Sequence, residues 1–560
     1  MLTSETGSLP LLRAARGAMV VSCLCSALLW PLGLGVDVQD HDESTYAELA
    51  REMVERGEYW DLQCNYMDWF GHPVLSMWVL AASFKLLGVS ELAVRIPAAL
   101  EVILVLALTW WLGRRLHGRA VADLSVALGA ALPAMSLMGH NVKTDLNLIL
   151  VMGLTIMAAW EALERPPWWV VSGVAAGLGV LTKGPIGLLL PGAVALLATL
   201  WAGRGRELGR GVVWMALGLA AFVATVLPWN LFMWGEHGAR WFEALYLEST
   251  VRRFGVTTAH TETTTPLYFL HTLLWAAAPA VPFGLLSLLY RAKDVRGQWR
   301  RPPFATLDLV WLLVPLAVMS FSSMKLPHYI FPVLPGLCVL AASAVVQWVT
   351  RGGGVWLSRA LRAGTLLVCL LLVVFAGAMV TFTFPEREGA RLLTLFLVGA
   401  SVVVVLGVGV WRGQVLPWVM APCLAAILAV SLHNGAARPE LARFNPARTV
   451  ATVLDEDQPP RGLQTMVHTF TEISRMSVVF YAHVRLEDSS TAKMLHMVYG
   501  RPQYALVNLA HVQELQRANF HVRVRGFAFT FPTSRLSIPF AMVGNREDLA
   551  TPLLLIQTWR

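Results

Sequence analysis

Apolar runs of about twenty residues recur along most of this 560-residue chain, and they constrain its fold more than any other feature. A run of that length is what an α-helix needs to cross a hydrocarbon layer about 30 Å thick. Charged residues make up only 14% of the chain, against about a quarter in soluble domains. A soluble fold would leave this apolar surface in water, so the sequence predicts an all-α polytopic membrane protein.

The order of the apolar runs predicts thirteen transmembrane helices. Arg13 and Arg16 precede the first run, which we interpret as a retained helix because many spans follow it. Alternate short loops, such as 114–119 and 291–301, are rich in arginine. The positive-inside rule places such loops on the cytoplasmic side of a bacterial inner membrane. The predicted spans are 17–36, 92–112, 120–138, 146–162, 168–182, 185–202, 211–234, 267–290, 306–322, 327–349, 363–383, 391–411 and 415–433.

Residues 1–435 are thus predicted to form the transmembrane domain, and residues 436–560 a separate periplasmic domain. Two longer loops, 37–91 and 235–266, fall on the same outer side. The first of these loops carries helical patterns over Ser44–Arg56 and Val74–Leu87.

The predicted C-terminal domain alternates between two kinds of pattern. Strand-like runs cover Met476–Val484, Tyr504–Leu509 and His521–Phe531, whereas Ala447–Leu454 and Ala510–Ala518 look helical. This alternation predicts a small α/β domain packed on the outer face of the membrane domain.

Acidic residues gather directly after the first span, in Asp40-His41-Asp42-Glu43. Carboxylates placed side by side at a membrane boundary repel one another unless they share a metal ion, a cation or a proton. Asp42 is equally well placed to cap the helix that begins near Ser44. The sequence leaves both interpretations open.

Basic residues occur where the topology rule disfavours them. Three of the six lysines, Lys143, Lys183 and Lys325, lie at predicted outer ends of helices, and Arg253 lies in the second outer loop. A phosphate bound at the membrane surface would satisfy these cations by charge-assisted hydrogen bonds. Snorkelling to anionic headgroups is the alternative for each one alone. Asp145, two residues after Lys143, adds a carboxylate to the same end of the bundle.

The sequence gives little support for a metal, nucleotide, paired-cysteine or nucleic-acid site. His72, His260 and His328 are predicted near the outer face, where a histidine is usually an interfacial polar residue; a divalent ion held by Asp42, Glu43 and His260 remains an option. The chain has no Walker or dinucleotide glycine-rich loop and no paired cysteine motif. Its basic excess sits in inner loops, so no nucleic-acid partner is expected.

Seven segments follow one another in an order that is shared with a known family. They are Asp42–Met53, Gly57–Trp60, Trp69–Leu75, Ser83–Gly88, Arg95–Leu100, Leu181–Pro185 and Lys325–Pro332. Together they resemble the C-type glycosyltransferases of the protein mannosyltransferase and aminoarabinose (lipid A) transferase kind. The similarity covers roughly residues 20–350.

The resemblance implies a sugar donor linked to polyprenyl or dolichyl phosphate, an inverting transfer, and an active site in a cavity at the outer face. It makes Asp42 the candidate base, with Glu43 and Asp145 as further catalytic carboxylates. The predicted partners of the donor phosphate are Lys183, Lys325, Lys143, Arg253, His72, Tyr46 and Tyr329.

Two departures from the aminoarabinose transferases limit what the resemblance implies. Thr45 stands where they carry Arg, and Gly71-His72-Pro73-Val74 stands where they carry Glu-Lys-Pro-Pro, so His72 is expected to take over part of the phosphate contact. The sugar and the acceptor (lipid, glycan or protein) are therefore left open. A lipid or glycan transporter is the alternative, but transporters place charges near the bilayer midplane, whereas here they cluster at one face.

Overall fold

The computed structural model shows a helical bundle followed by a small mixed-sheet domain, which confirms the predicted fold class. Asp40, Arg253, His260 and nearly all of the predicted span 391–411 lie outside the described residues. The described residues are 9–39, 41–252, 265, 267–295, 307–323, 325–352, 355–383, 399, 414–457, 462–469, 475–490, 493, 503–531 and 550–559.

The first half of the bundle contains both long apolar helices and shorter helices at their ends. A two-stranded hairpin, β1 (Gln63–Cys64) and β2 (Met67–Asp68), interrupts it. The helices are α1 (Leu9–Leu29), α2 (His41–Arg56), α3 (Leu75–Leu87), α4 (Glu91–His117), α5 (Arg119–Ala130), α6 (Pro133–His140), α7 (Thr144–Ala162), α8 (Trp168–Lys183), α9 (Ile186–Trp201), α10 (Gly205–Arg210) and α11 (Val212–Phe242).

The second half of the bundle contains more irregular helical segments. A π-helix (Glu243–Arg252) extends α11, and a 3-10 helix (Pro327–Val333) leads into a long buried helix. Two further π-helical turns cover Met379–Thr383 and His433–Ala437. The α-helices are α12 (Tyr268–Ala276), α13 (Val281–Val295), α14 (Leu307–Phe321), α15 (Leu334–Arg351), α16 (Val355–Ala378), α17 (Leu416–Leu432) and α18 (Arg438–Ala442).

Among the described residues, seven helices are long and apolar enough to cross a membrane. Helices α5 and α6 form an eighth candidate, bent by 57° where Pro133 begins α6. Helices α8, α9 and α14 are apolar but shorter. The chain is therefore a multi-pass membrane protein, and the number thirteen stays a prediction.

Glycines bring α8 unusually close to its neighbours. A methyl group added at Gly173 would lie 1.9 Å from the carbonyl oxygen of Gly218 in α11, and one at Gly187 in α9 would lie 2.0 Å from that of Gly179. Small residues of this kind let membrane helices approach through their backbones. This packing fixes α8, whose last residue is Lys183.

Helix α2 is too polar to be counted among the candidate membrane spans, and it packs on α3 and on the C-terminal domain. Its buried residues Tyr46, Leu49, Ala50 and Met53 follow helical spacing and pack on α3. The predicted helix over Ser44–Arg56 is confirmed but begins three residues earlier, at His41, so Asp42 lies inside the first turn and is not the N-cap.

The C-terminal domain is a five-stranded sheet with helices beside it. Its elements are α19 (Ala447–Asp457), β3 (Gly462–Thr469), α20 (Arg475–Ala482), β4 (Val484–Asp488), β5 (Gln503–Val507), α21 (Leu509–Arg517), β6 (His521–Thr530) and β7 (Thr551–Trp559). The strand order is β4-β3-β5-β7-β6. Strand β3 pairs parallel with β4 and β5, and β7 pairs antiparallel with β5 and β6.

The predicted strand over Met476–Val484 is wrong, because Met476–Ala482 lie in α20 and only Val484 belongs to a strand, β4. Val478, Val479 and Ala482 are fully buried, and α20 packs between α19 and α2. A short apolar run fits a buried helix and a buried strand equally well, and tertiary packing decided in favour of the helix. The domain division at residue 435 stays a prediction.

Candidate active site

The carboxylate of Asp42 meets a lysine from a distant part of the chain. Its Oδ2 lies 2.9 Å from Nζ of Lys143, which occupies the N-cap position of α7. Asp42 is held by the first turn of α2, and its side chain is 34% exposed, whereas that of Lys143 is 15% exposed. The structure therefore brings together two residues that the sequence placed 101 positions apart.

A second acid–lysine pair lies beside the first and is more deeply buried. Asp145 Oδ1 accepts a hydrogen bond of 2.6 Å from Lys183 Nζ, and its Oδ2 lies 3.6 Å from Nε2 of His328. The Lys183 ammonium also lies 4.8 Å from the ring centroid of Tyr329. Three segments thus meet here: the start of α7, the end of α8 and the 3-10 helix.

The Thr-Lys-Gly-Pro segment has a local reason to present Lys183 at this place. Gly184 ends α8 with a φ of 69°, a conformation that favours glycine, and its N–H donates to the carbonyl of Val180. Pro185 then leads directly into α9. The sharp turn leaves Lys183 at the end of the bundle where α2 lies.

Tyr46 lies between the two acidic groups, one helical turn after Asp42. Burial, together with the negative charges of Asp42 and Asp145, raises the pKa of the Tyr46 phenol well above its ordinary value. The phenol therefore stays protonated and can act as a hydrogen-bond donor. Its ring packs against His72 and Trp69, at centroid distances of 5.9 and 6.5 Å.

Glu43 points away from this cluster into a fully buried junction. Its Oε1 accepts a 3.1 Å hydrogen bond from Nε of Arg95, and both side chains are inaccessible to solvent. Arg95 also donates to the backbone carbonyls of Leu34, Val36 and His140. The junction joins the linker before α2 to α4 and α6, so it fixes the elements that carry Asp42 and Lys143.

A cavity of about 210 Å³ opens beside the first pair. Lys143, His328 and Arg438 contribute polar groups to its wall, and Trp275 and Phe331 contribute aromatic ones. Arg438 was not predicted as a site residue. Like the three lysines, however, it is a basic residue on the predicted outer side, just after the last span, where the positive-inside rule disfavours it. The wall is therefore cationic and partly aromatic.

Lys325 and Arg253, the other predicted cationic partners of the phosphate, are not seen in contact with the two acid–lysine pairs in the described part of the chain. Lys325 is buried and donates to the carbonyl of Ser322, at 2.6 Å, on the segment that leads to His328 and Tyr329. Arg253 and His260 lie outside the described residues.

A metal ion is poorly matched by the groups in place. Within the described ranges, no group of three His, Cys, Asp or Glu side chains is arranged to hold one. Glu43, one of the candidate ligands, is already held by Arg95, with Arg438 3.9 Å from its other oxygen.

Three comparisons place this geometry among known proteins. A family model described as dolichyl-phosphate-mannose-protein mannosyltransferase matches residues 71–229. An undecaprenyl phosphate-α-4-amino-4-deoxy-L-arabinose arabinosyl transferase of Pseudomonas aeruginosa is 31% identical over 456 residues, which cover 77% of this chain and 79% of that protein.

Solved structures share the fold. ArnT from Cupriavidus metallidurans, bound to undecaprenyl phosphate, matches with a TM-score of 0.74 at 20% identity, over 96% of this chain and 98% of that chain. The Archaeoglobus fulgidus oligosaccharyltransferase matches with a TM-score of 0.52 at 12% identity, over 91% and 69% of the two chains. With the Pseudomonas relative, these matches show that the chain belongs to the C-type glycosyltransferases, as a membrane glycosyltransferase related to the aminoarabinose transferases.

Proposed function

We propose that the cluster around Asp42 and Asp145 is the active site for transfer of a sugar from a polyprenyl phosphate to a membrane-bound acceptor. One observation carries the proposal: two carboxylate–lysine pairs, drawn from three separate segments, lie next to each other beside a cationic cavity. The two pairs are in mutual electrostatic contact, because His328 interacts with Asp145, Lys143, Lys183 and Asp42.

The cavity is suited to the donor phosphate. Lys143 and Arg438 supply donors for phosphate oxygens, and His328 supplies a ring nitrogen. Cleavage of the bond between the anomeric carbon and the phosphate oxygen leaves negative charge on that oxygen. Preorganised cations stabilise this developing charge, and removing one such group costs about 10²- to 10³-fold in rate.

Asp42 is the best-placed general base. Lys143 at 2.9 Å favours the ionised carboxylate, and the partial exposure of Asp42 leaves room for an acceptor. The acceptor hydroxyl gives its proton to Asp42 while its oxygen attacks the anomeric carbon opposite the leaving phosphate. This single displacement inverts the configuration at that carbon.

Glu43, Asp145 and Lys183 then hold other groups of the site in place and do not transfer a proton themselves. Asp145 holds Lys183 and His328, and Glu43 anchors the start of α2 through Arg95. The donor named for the Pseudomonas relative, undecaprenyl phosphate-linked aminoarabinose, is the first one to test.

The membrane arrangement belongs to the same proposal. We infer that the chain lies in a bacterial inner membrane with loops 37–91 and 235–266 and domain 436–560 in the periplasm. The positive-inside distribution of arginines supports this orientation. A lipid-linked donor also suits the periplasmic side, where nucleotide sugars are scarce.

Purified Asp42→Asn protein tests the assignment, with radiolabelled undecaprenyl phosphate-aminoarabinose as donor and a lipid acceptor in mixed micelles. We expect transfer to fall by at least about 10²-fold, because general-base catalysis contributes about 10²- to 10⁴-fold. Asp455→Asn removes an exposed carboxylate of the C-terminal domain and should leave transfer unchanged. Near-normal transfer by folded Asp42→Asn protein would exclude Asp42 as the base.

A further inference from the structure

A second cavity, of about 590 Å³, is larger than the cavity of about 210 Å³ that we assign to the donor phosphate (the donor cavity). Helices α1 and α4 form its two sides, and both pack on α5, which forms its floor together with the start of α6 and part of α17. The volume is within the range of about 300–1,000 Å³ that is usual for small-molecule sites. We call this cavity the α1–α4 groove.

The groove runs along two membrane-spanning helices. Both α1 and α4 are long and apolar enough to cross a membrane. The lining runs from Met19 on α1 to Trp30 just after it, and from Ala99 to Trp110 on α4. A helix rises about 16 Å over such a stretch, which is about half of a hydrocarbon core about 30 Å thick. The groove therefore has the length that one lipid chain covers in one leaflet.

One side of the groove is open towards the surrounding lipid. Ile103 of α4 lines the groove and is 61% exposed, and Ala27 of α1 lines it and is exposed as well. Their neighbours on the two helices, such as Leu28 and Leu100, are exposed apolar residues that do not line it. A hydrocarbon chain can therefore enter the groove sideways from the bilayer.

Three polar groups of the lining already have partners within the protein. Ser26 donates to a backbone carbonyl of α5, at 2.8 Å, and Ser136 accepts from Nδ2 of Asn434, at 3.2 Å. Trp110 donates its indole N–H to Asp123, at 2.9 Å. Most of the other lining residues are alanines and larger apolar side chains. Such a wall offers water few partners, whereas a hydrocarbon chain needs none.

Helix α6 separates the groove from the donor cavity. Met135 and Ser136 line the groove, whereas Leu137 and Met138 line the donor cavity. Successive residues of a helix point about 100° apart, so these two pairs lie on opposite sides of α6. The chain of a donor whose phosphate occupies the donor cavity begins on the other side of this helix. The groove is therefore suited to a different lipid.

The last residue of α6 connects the groove to the donor cavity. Nε2 of His140 lies 2.7 Å from the carbonyl oxygen of Trp30, which lines the groove, and the two rings pack at a centroid distance of 5.3 Å. The carbonyl oxygen of His140 accepts a 2.9 Å hydrogen bond from Arg438, which lines the donor cavity. A chain packed against Trp30 and Met135 therefore supports the helix end that holds Arg438.

We propose that the α1–α4 groove binds one acyl chain of a membrane phospholipid, and that this chain keeps α6 and Arg438 in the position that binds the donor. The first part is independent of the proposed function. The second part rests on it, because it places the donor phosphate beside Arg438. Donor affinity thus depends on a lipid that takes no part in the reaction.

Native mass spectrometry of the full chain, extracted in detergent and washed free of loosely bound lipid, tests the binding. Wild type should retain one phospholipid, and Ala27→Trp and Ala99→Phe, which place a large side chain in the groove, should lose it. Leu28→Trp and Leu100→Phe place the same side chains at exposed neighbouring positions, so these matched controls should retain it.

Three results would overturn the binding site. They are a wild-type protein that retains no phospholipid, equal retention by wild type and both groove variants, and a retained lipid with the mass of a polyprenyl phosphate or a glycolipid.

The affinity for undecaprenyl phosphate, measured by microscale thermophoresis with and without added phosphatidylethanolamine, tests the second part. The phospholipid should tighten binding to delipidated wild type by at least about 5-fold, the lower end of usual coupling between two sites. It should leave Ala27→Trp unchanged, because the indole already fills the groove. An unchanged wild-type affinity would refute the coupling. A folded protein that retains phospholipid but never binds undecaprenyl phosphate would support the groove and refute the proposed function.

Discussion

Arg95 is predicted to be the residue on which the geometry of the first outer loop depends. Its guanidinium is fully buried, pairs with Glu43 and donates to carbonyls on both the α1–α2 linker and the end of α6. Removing one partner of a buried ion pair costs about 3–5 kcal/mol, because it leaves the other charge buried and unpaired. Each orphaned carbonyl adds about 1–3 kcal/mol before relaxation or water entry.

Arg95→Ala should therefore destabilise the protein by at least about 3 kcal/mol, measured by denaturant unfolding in detergent micelles. Arg95→Met combined with Glu43→Leu should be less damaging than Arg95→Ala, since the single variant leaves the buried Glu43 carboxylate with only Arg438, at 3.9 Å, as an ion-pair partner. Arg114→Ala removes an exposed arginine of the same helix and serves as control. If Arg95→Ala unfolds at the wild-type denaturant concentration, the junction does not stabilise the fold as argued.

Two further predictions concern the site and its surroundings. Lys183→Ala should lower transfer by about 10²-fold in a single-turnover assay, because it removes the ammonium that holds Asp145 in position beside His328. Lys85→Ala, which removes an ammonium that stacks on Tyr59, should not lower transfer. Burial, followed by hydrogen bonding to and repulsion from Glu48, raises the pKa of Glu52 to about 8. Its contribution to stability is thus present at low pH and lost as the pH rises from about 4.5 towards 8, because the unfolded carboxyl ionises first. Glu52→Gln should flatten that dependence in thermal unfolding scans, and an unchanged pH slope would contradict the assignment.

The sequence predicted the membrane fold because hydrophobic length is a local property. The apolar runs around α4, α7 and α15 are visible without any knowledge of their partners. The strand predicted at Met476–Val484 failed for the opposite reason, since a short buried run takes its conformation from the surfaces that cover it.

For the candidate site, the sequence indicated which residues to consider but not which of them pair. Lys143 and Lys183 were identified because each is a basic residue at the predicted outer end of a helix, where the positive-inside rule disfavours it. Nothing in the sequence indicated that they pair with Asp42 and Asp145 respectively. Glu43 was predicted to act beside Asp42, its neighbour in sequence, in the same catalytic group. Adjacent helical positions point about 100° apart, which sends Asp42 towards Lys143 and Glu43 into the Arg95 junction.

The pairing itself has a mechanistic consequence. A buried ammonium without a counter-charge would be costly, so the acids keep Lys143 and Lys183 in place before the donor arrives. A donor phosphate that enters the adjacent cavity is a second anion for Lys143. Each hydrogen bond that Lys143 donates to the phosphate weakens its ion pair with Asp42. Donor binding would thus free the base in the same step that neutralises the leaving group, which ties proton abstraction to the presence of a sugar to transfer. Lys183 does not line this cavity, so a phosphate bound there would leave its 2.6 Å hydrogen bond to Asp145 in place.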